Sequence, residues 1–168
     1  MFLAEQYKFV PIYNYYDLST DDATMPSDSI DMSGFHHATI YLQYHSIGTA
    51  SPVLYAYSGA TNGAQTSALT FNYAFGGAAA GTAVAGSAAS CDVLTAWSTS
   101  AALTITHGTY DNYILVLEIP ASIMDVANSE YFLTLNHTDP STGCTGNVTA
   151  CAILHPRYGS YRSATALA

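Results

Sequence analysis

The chain has 168 residues, with three Lys and Arg against twelve Asp and Glu, a formal net charge of −9, and 49% hydrophobic but only 9% charged residues. That length predicts one domain with enough buried surface to fold without a metal or disulfide staple. So acidic a chain is poorly suited to neutralising phosphates, so neither nucleic-acid binding nor docking on an anionic membrane is expected, while a charged fraction far below the usual ~25% predicts a surface buried against other subunits.

The first residues, Met-Phe-Leu-Ala-Glu-Gln-Tyr-Lys, lack the apolar core and small-residue cleavage site of a signal peptide. Residues 1–10 are expected as an arm. Phe9 to Tyr16 is aromatic, but Pro11 cannot donate to a ladder, which suggests an edge strand or a continuation of the arm. The acids Asp17, Asp21, Asp22, Asp28 and Asp31 follow at irregular spacing. They lack the glycine and closing glutamate of an EF-hand loop, so a solvated acidic loop is expected. From His36 to His45, Ile40, Leu42 and Tyr44 alternate with Thr39, Tyr41 and Gln43, the period of a strand with one buried face. On that parity His37 and His45 share a face and His36 points the other way.

Val53 to Tyr57 reads as a short strand. Leu69, Phe71, Tyr73 and Phe75 form the buried parity of the next one. Gly76 to Ser90 is rich in Gly, Ala, Ser and Thr, side chains too small to repay ordering, so approximately residues 76–90 are expected as a flexible loop. Leu103, Ile105 and His107 alternate with threonines. Tyr113, Leu115, Leu117 and Ile119 share one face, with Ile114, Val116 and Glu118 on the other. After Pro120, Ala-Ser-Ile-Met-Asp-Val-Ala predicts a single helical turn leading into the strand of Tyr131, Leu133 and Leu135. Asn147 to Leu154 is the last strand, and 156–168 is expected as a second arm. Turn signals such as Asn62-Gly63, His107-Gly108 and Asp139-Pro140-Ser141-Thr142-Gly143 separate these segments. Several short strands so spaced predict an all-β fold: an antiparallel β-sandwich, jelly-roll-like, in one domain with extended N- and C-terminal arms. No run reaches the ~18 apolar residues of a membrane-spanning helix.

Chemistry leaves little trace. The Gly-x-Ser-x-Gly elbow does not occur, and Lys8, the only lysine, stands in no phosphate-loop context. Nothing pairs any two of Glu5, Glu118 and Glu130 across a cleft. His137, Cys144, Cys151 and His155 could supply four zinc ligands, but at none of the compact zinc spacings. No catalytic, metal or cofactor residues are assigned. Cys91, Cys144 and Cys151 make an odd count, which argues against a disulfide framework. Cys144 and Cys151 bracket six residues and could close a small loop, the alternative being three reduced thiols. Fourteen tyrosines supply large contact area at low entropic cost, as interfaces do; carbohydrate-binding faces also use aromatics. Tyr7, Lys8 and Phe9 at one end, with Arg157, Tyr158, Tyr161 and Arg162 at the other, are candidate subunit-interface residues. The basic-aromatic C-terminal group would suit an acidic patch on a neighbour.

Three stretches carry a resemblance. Leu3-Ala4-Glu5-Gln6-Tyr7 is followed by Asp28-Ser29-Ile30-Asp31-Met32-Ser33-Gly34-Phe35 and the strand Ala38-Thr39-Ile40-Tyr41-Leu42; later come Tyr113 to Ile119 with Tyr131-Phe132-Leu133-Thr134-Leu135, and last Ala152-Ile153-Leu154-His155-Pro156-Arg157-Tyr158. In that order they resemble virion structural proteins of tailed bacteriophages, of the head-decoration or cement type. The sequence departs from that pattern in its longer middle, Asn62 to Ser100, and in its paucity of charge. The resemblance implies a non-enzymatic protein of the capsid surface whose partners are the major capsid protein or other virion subunits, with homo-oligomers, trimers included, expected. A tail, neck or fibre component and a carbohydrate-binding adhesion module are the alternatives.

Overall fold

Alternation of large apolar and polar side chains becomes two antiparallel sheets packed face to face, an all-β sandwich. The computed structural model describes residues 6–19, 24–79, 91–138, 143–158 and 165–167. The first sheet holds β1 (Lys8–Asp17), β4 (Phe35–Gly48), β7 (Phe71–Phe75), β8 (Ser98–Ser100), β10 (Ile114–Pro120) and β12 (Thr145–Pro156), in the order β1-β12-β4-β10-β7-β8. The second holds β2 (Met25–Pro26), β3 (Ile30–Asp31), β5 (Val53–Gly59), β6 (Ser67–Ala68), β9 (Leu103–Thr104) and β11 (Phe132–Thr138). There β11 and β5 pair along their length, with β2 and β3 on β11 and β6 and β9 on β5. The chain changes sheet from β4 to β5, from β10 to β11 and again from β11 to β12.

The 14-residue β4 sets the pattern. Ala38, Ile40, Leu42 and Tyr44 point inward and are buried, while His37, Thr39, Tyr41, Gln43 and His45 point outward. Leu115, Leu117 and Ile119 of β10 register against Leu42, Ile40 and Ala38, and all three are buried. On its other side β4 faces Ala150, Ala152 and Leu154 of β12. The two alanines leave room that β1 fills, since Tyr13 registers on Ala150 and Val10 on Ala152. Each fully buried Leu or Ile contributes about 1.5–3 kcal/mol over its exposed state, so the inward rows of these strands hold the first sheet against the second.

The helical turn expected after Pro120 is two 3-10 turns, Ala121–Ile123 and Val126–Asn128. The second is capped by the Asp125 side chain, which accepts from the Asn128 backbone N–H. The strand expected to start at Leu69 starts at Phe71; Leu69 instead donates its backbone N–H to Ala56 in the other sheet.

The arm boundaries move outward. Lys8, Phe9 and Val10 already belong to β1, paired with Leu154, Ile153 and Ala152. Pro156 closes β12, Arg157 donates from its backbone N–H to Gly34 O and from Nε to Phe35 O, and Leu167 bridges Ile30 beside the buried Ala166. Backbone pairing wins because β12, once seated on β4, offers β1 an open edge. The loop expected at 76–90 lies outside the described residues from Ala80 onward, and Gly76 still pairs, bridging Leu94.

The loop disulfide is corrected: Cys144 and Cys151 are free thiols, as is Cys91. Cys151 lies in β12 and Cys144 immediately precedes it. Seven residues of extended chain separate their Cα atoms by roughly 20 Å, against the 4.4–6.8 Å or so that a disulfide spans.

Candidate functional site

The outward face of the first sheet is where chemistry-bearing and apolar side chains gather in solvent. Register aligns them in rows across the strands. One row runs Phe9, Ile153, Thr39, Glu118, Asn72; the next runs Pro11, Cys151, Tyr41, Val116, Ala74; a third runs Thr149, Gln43, Ile114. Cross-strand neighbours sit about 4.5–5.5 Å apart at Cβ, so each row is in contact along its length, although Val116 and Ala74 in the second row are buried and the row is open to solvent only from Pro11 to Tyr41. Phe9 on the edge strand is 41% exposed, and Tyr41 is 44% exposed, high for an aromatic side chain in the body of a sheet. Around Tyr41 the face dips into an open depression of about 360 Å³, lined by Tyr41, Gln43, Ile114, Thr149 and Cys151 and walled by Asn14. Burial pushes the Cys151 thiol pKa up, so it is held as the protonated, unreactive form.

One end of the face is polar. His37 and His155 are direct cross-strand partners, and Glu118 lies one step along on β10. His37 Nε2 bonds Glu118 Oε2, and the Thr39 hydroxyl donates to the same carboxylate at 3.0 Å. The two imidazole rings meet edge-on with centroids 5.4 Å apart, and Tyr7 packs edge-on against His155 at 4.7 Å. Partial burial lowers the His155 pKa, the neighbouring His37 lowers it further, and Glu118 works in the opposite direction. Among the described residues no three His, Cys, Asp or Glu side chains are placed to hold a metal ion together. What the cluster does as it stands is pair the one carboxylate in the body of this face with an imidazole.

A second polar group lies inside the sandwich. His137 of β11 is fully buried, and its Nε2 is 2.8 Å from the Tyr44 hydroxyl, its Nδ1 3.2 Å from the Tyr13 hydroxyl. Tyr13 donates its own proton to Met25 O at 2.6 Å. Its oxygen therefore accepts from Nδ1–H of His137, and Tyr44 donates to Nε2, which fixes a neutral imidazole with the proton on Nδ1. Burial lowers the His137 pKa to about 3 and raises those of Tyr13 and Tyr44 well above the ordinary tyrosine value. These groups tie β1 and β4 of one sheet to β11 of the other and are buried, Tyr13 alone also reaching the floor of the depression around Tyr41, so their role is to fix the packing of the two sheets.

The other expected residues scatter. Tyr7 and Phe9 reach the outward face, whereas Lys8 registers on the buried Leu154, on the inner side of the edge. Arg157 is bound to Phe35 O, and Tyr158 is 68% exposed beyond the end of β12. Tyr161 and Arg162 lie outside the described residues. The four zinc candidates separate, since His137 is in the core while His155 and Cys151 face outward from the other sheet. Sequence reasoning passed over Tyr41, Gln43, Ile114 and Thr149. Strand parity marked the outward side of β4, but which strands lie beside it is a matter of sheet order.

No protein-family model matches the sequence, and no curated protein matches it.

Proposed function

We propose that this chain is a non-enzymatic structural protein of a virion, of the capsid-decoration or cement type, whose work is to bury sheet surface against the subunits of an assembled shell. The observation that carries the reading is apolar surface left in solvent at two separate places on a small, charge-poor sandwich. One is the outward face around Phe9 and Tyr41. The other is the segment at the far edge of the same sheet, beside β8, where Val93, Leu94 and Trp97 are 58%, 39% and 50% exposed. A chain with two such surfaces can bridge neighbours, and binding only the assembled form shifts the assembly equilibrium toward it by mass action. The resemblance of the Ala38 to Leu42 and Tyr113 to Ile119 stretches to head-decoration proteins points the same way.

Purified particles test this. A decoration protein is present in numbers comparable to the shell subunits, and particles stripped of it release their contents at lower temperature. A few copies confined to one end of a tail move the assignment to a tail, neck or fibre component, and particles without the chain refute a virion role. A carbohydrate-binding module is the second reading, favoured by Tyr41 standing beside Asn14, Gln43 and Thr149 in the depression. Glycan-array binding that Tyr41→Ala abolishes establishes it.

A further inference from the structure

We infer that the depression around Tyr41 binds one unit of an uncharged sugar chain, with the Tyr41 ring as the stacking platform and the Asn14 and Gln43 amides as the hydrogen-bonding groups. The inference rests on the carbohydrate-binding reading given second above and names its ligand class. It is independent of the virion role, which a chain with a sugar site of its own can also fill.

What the depression offers selects the ligand. Its volume of about 360 Å³ is near the low end of the roughly 300–1,000 Å³ of small-molecule sites, so a ring-sized group fits and a large ligand does not. Tyr41 stands 44% exposed on β4, and Ile114, the cross-strand partner of Gln43, adds apolar surface to the lining. The side-chain amides of Asn14 and Gln43 and the Tyr41 hydroxyl have no hydrogen-bond partner among the described residues, so all three are open to a ligand. Asn14 reaches the depression because the register of β1 on β12 shifts between Tyr13 and Tyr16, an irregularity of the kind that re-aims side chains. A pyranose meets these demands together, since it carries C–H groups on its ring faces and hydroxyls around its rim.

Charge and sheet order exclude the competitors. None of the residues lining the depression is charged. A sialylated or uronate-bearing glycan would find no cation there while approaching a chain of net charge −9, and a basic ligand would find no carboxylate. A wholly apolar ligand would cover the two amides and leave them unpaired. A peptide that adds to a sheet needs a free strand edge, and β4 has none, because β12 and β10 pair along both its sides.

An array of neutral oligosaccharides printed beside sialylated and uronate-bearing ones, probed with the intact chain, tests the inference, with titration calorimetry on the strongest neutral binder. The expected result is binding to neutral glycans alone, abolished by Tyr41→Ala and weakened about fivefold, the contribution of one hydrogen bond, by Asn14→Ala and by Gln43→Ala. Circular dichroism checks that each variant is folded; should Tyr41→Ala lose the wild-type spectrum, the two amide variants decide. Binding of the anionic glycans, or neutral binding that Tyr41→Ala leaves intact or that Trp97→Ala removes instead, overturns the inference while carbohydrate binding stands. A chain that binds no glycan on the array overturns both, and a peptide array bound through Tyr41 in its place assigns the depression to a protein partner.

Discussion

Acid should weaken this protein through one buried residue. His137 holds a pKa of about 3 in the folded chain, because burial penalises its charged form, against about 6.5 when exposed. Below pH 6.5 the unfolded chain takes up a proton that the folded chain refuses. The folded pKa is depressed, so stability is full above about pH 6.5 and falls with pH until about 3. The slope is about 1.4 kcal/mol per pH unit, or about 2 kcal/mol between pH 6.5 and 5. The hydrogen bonds give the same sign. A second proton on Nε2 would meet the proton that Tyr44 already donates, and Tyr13 has committed its own to Met25 O. Urea unfolding at pH 7 and pH 5 measures the loss, and His137→Gln isolates it, since glutamine does not titrate. The variant is less stable at pH 7 but loses about 2 kcal/mol less on going to pH 5. His155, whose pKa is also lowered, titrates in both proteins and cancels in the difference. Equal losses in wild type and variant would refute the assignment of His137 as a buried neutral imidazole.

Tyr44→Phe removes the donor to His137 Nε2 without changing shape, leaves a buried acceptor unpaired, and should cost about 1–3 kcal/mol in urea unfolding. Gly146 has φ of +121°, and a Cβ there would meet His45 O at 2.7 Å and Ser46 O at 2.9 Å, so Gly146→Ala should lower the melting temperature by an amount corresponding to about 2 kcal/mol or more. Glu118→Gln loosens the His37 contact on a partly solvated face and should cost less than about 1 kcal/mol in the same assay. In denaturant, thiol titration should return three reactive groups with or without prior reduction, and in the native protein Cys144, 2% exposed, should not react.

The strands were legible because each buried row is written locally. Leu115, Leu117 and Ile119, or Ile40, Leu42 and Tyr44, declare their inward face within seven residues of sequence, and the structure buries each of them. Parity also placed His37 and His45 on one face. What the sequence did not carry is which strand lies beside which. Glu118 and His37 are 81 positions apart, and Tyr13 and His137 are 124 apart. These pairs meet only because β4 lies between β12 and β10, and because β1 packs over β11. Of the two readings of Phe9 to Tyr16, the edge strand holds, and only the arm boundary near residue 10 moves, for a related reason. Lys8 to Val10 shows no alternation that turn residues bound, yet it pairs because β12 presents an unpaired edge. The mixed interior of β11, where Thr134, Asn136 and His137 are all buried, was likewise invisible, since Ser29, Met25 and Tyr44 satisfy those groups from distant segments.

An apolar sheet face invites two kinds of association, and the sequence guards against one of them. Open strand edges template indefinite pairing. Here the edge strand β1 is interrupted by Pro11 and by register shifts between Pro11 and Tyr13 and between Tyr13 and Tyr16, with Tyr15 at φ of +50°. The opposite edge, β8, is three residues long and built of serine and threonine. Neither offers a long flat ladder to another chain. The outward face has no such interruption, and its rows of Phe9, Ile153, Cys151 and Tyr41 run unbroken from β1 to β4. With both edges of this sheet blunted, its outward face and not its ladders is what it leaves open to contact. On the structural-protein reading proposed above, guarded edges beside an open face favour contacts that close over ladders that extend.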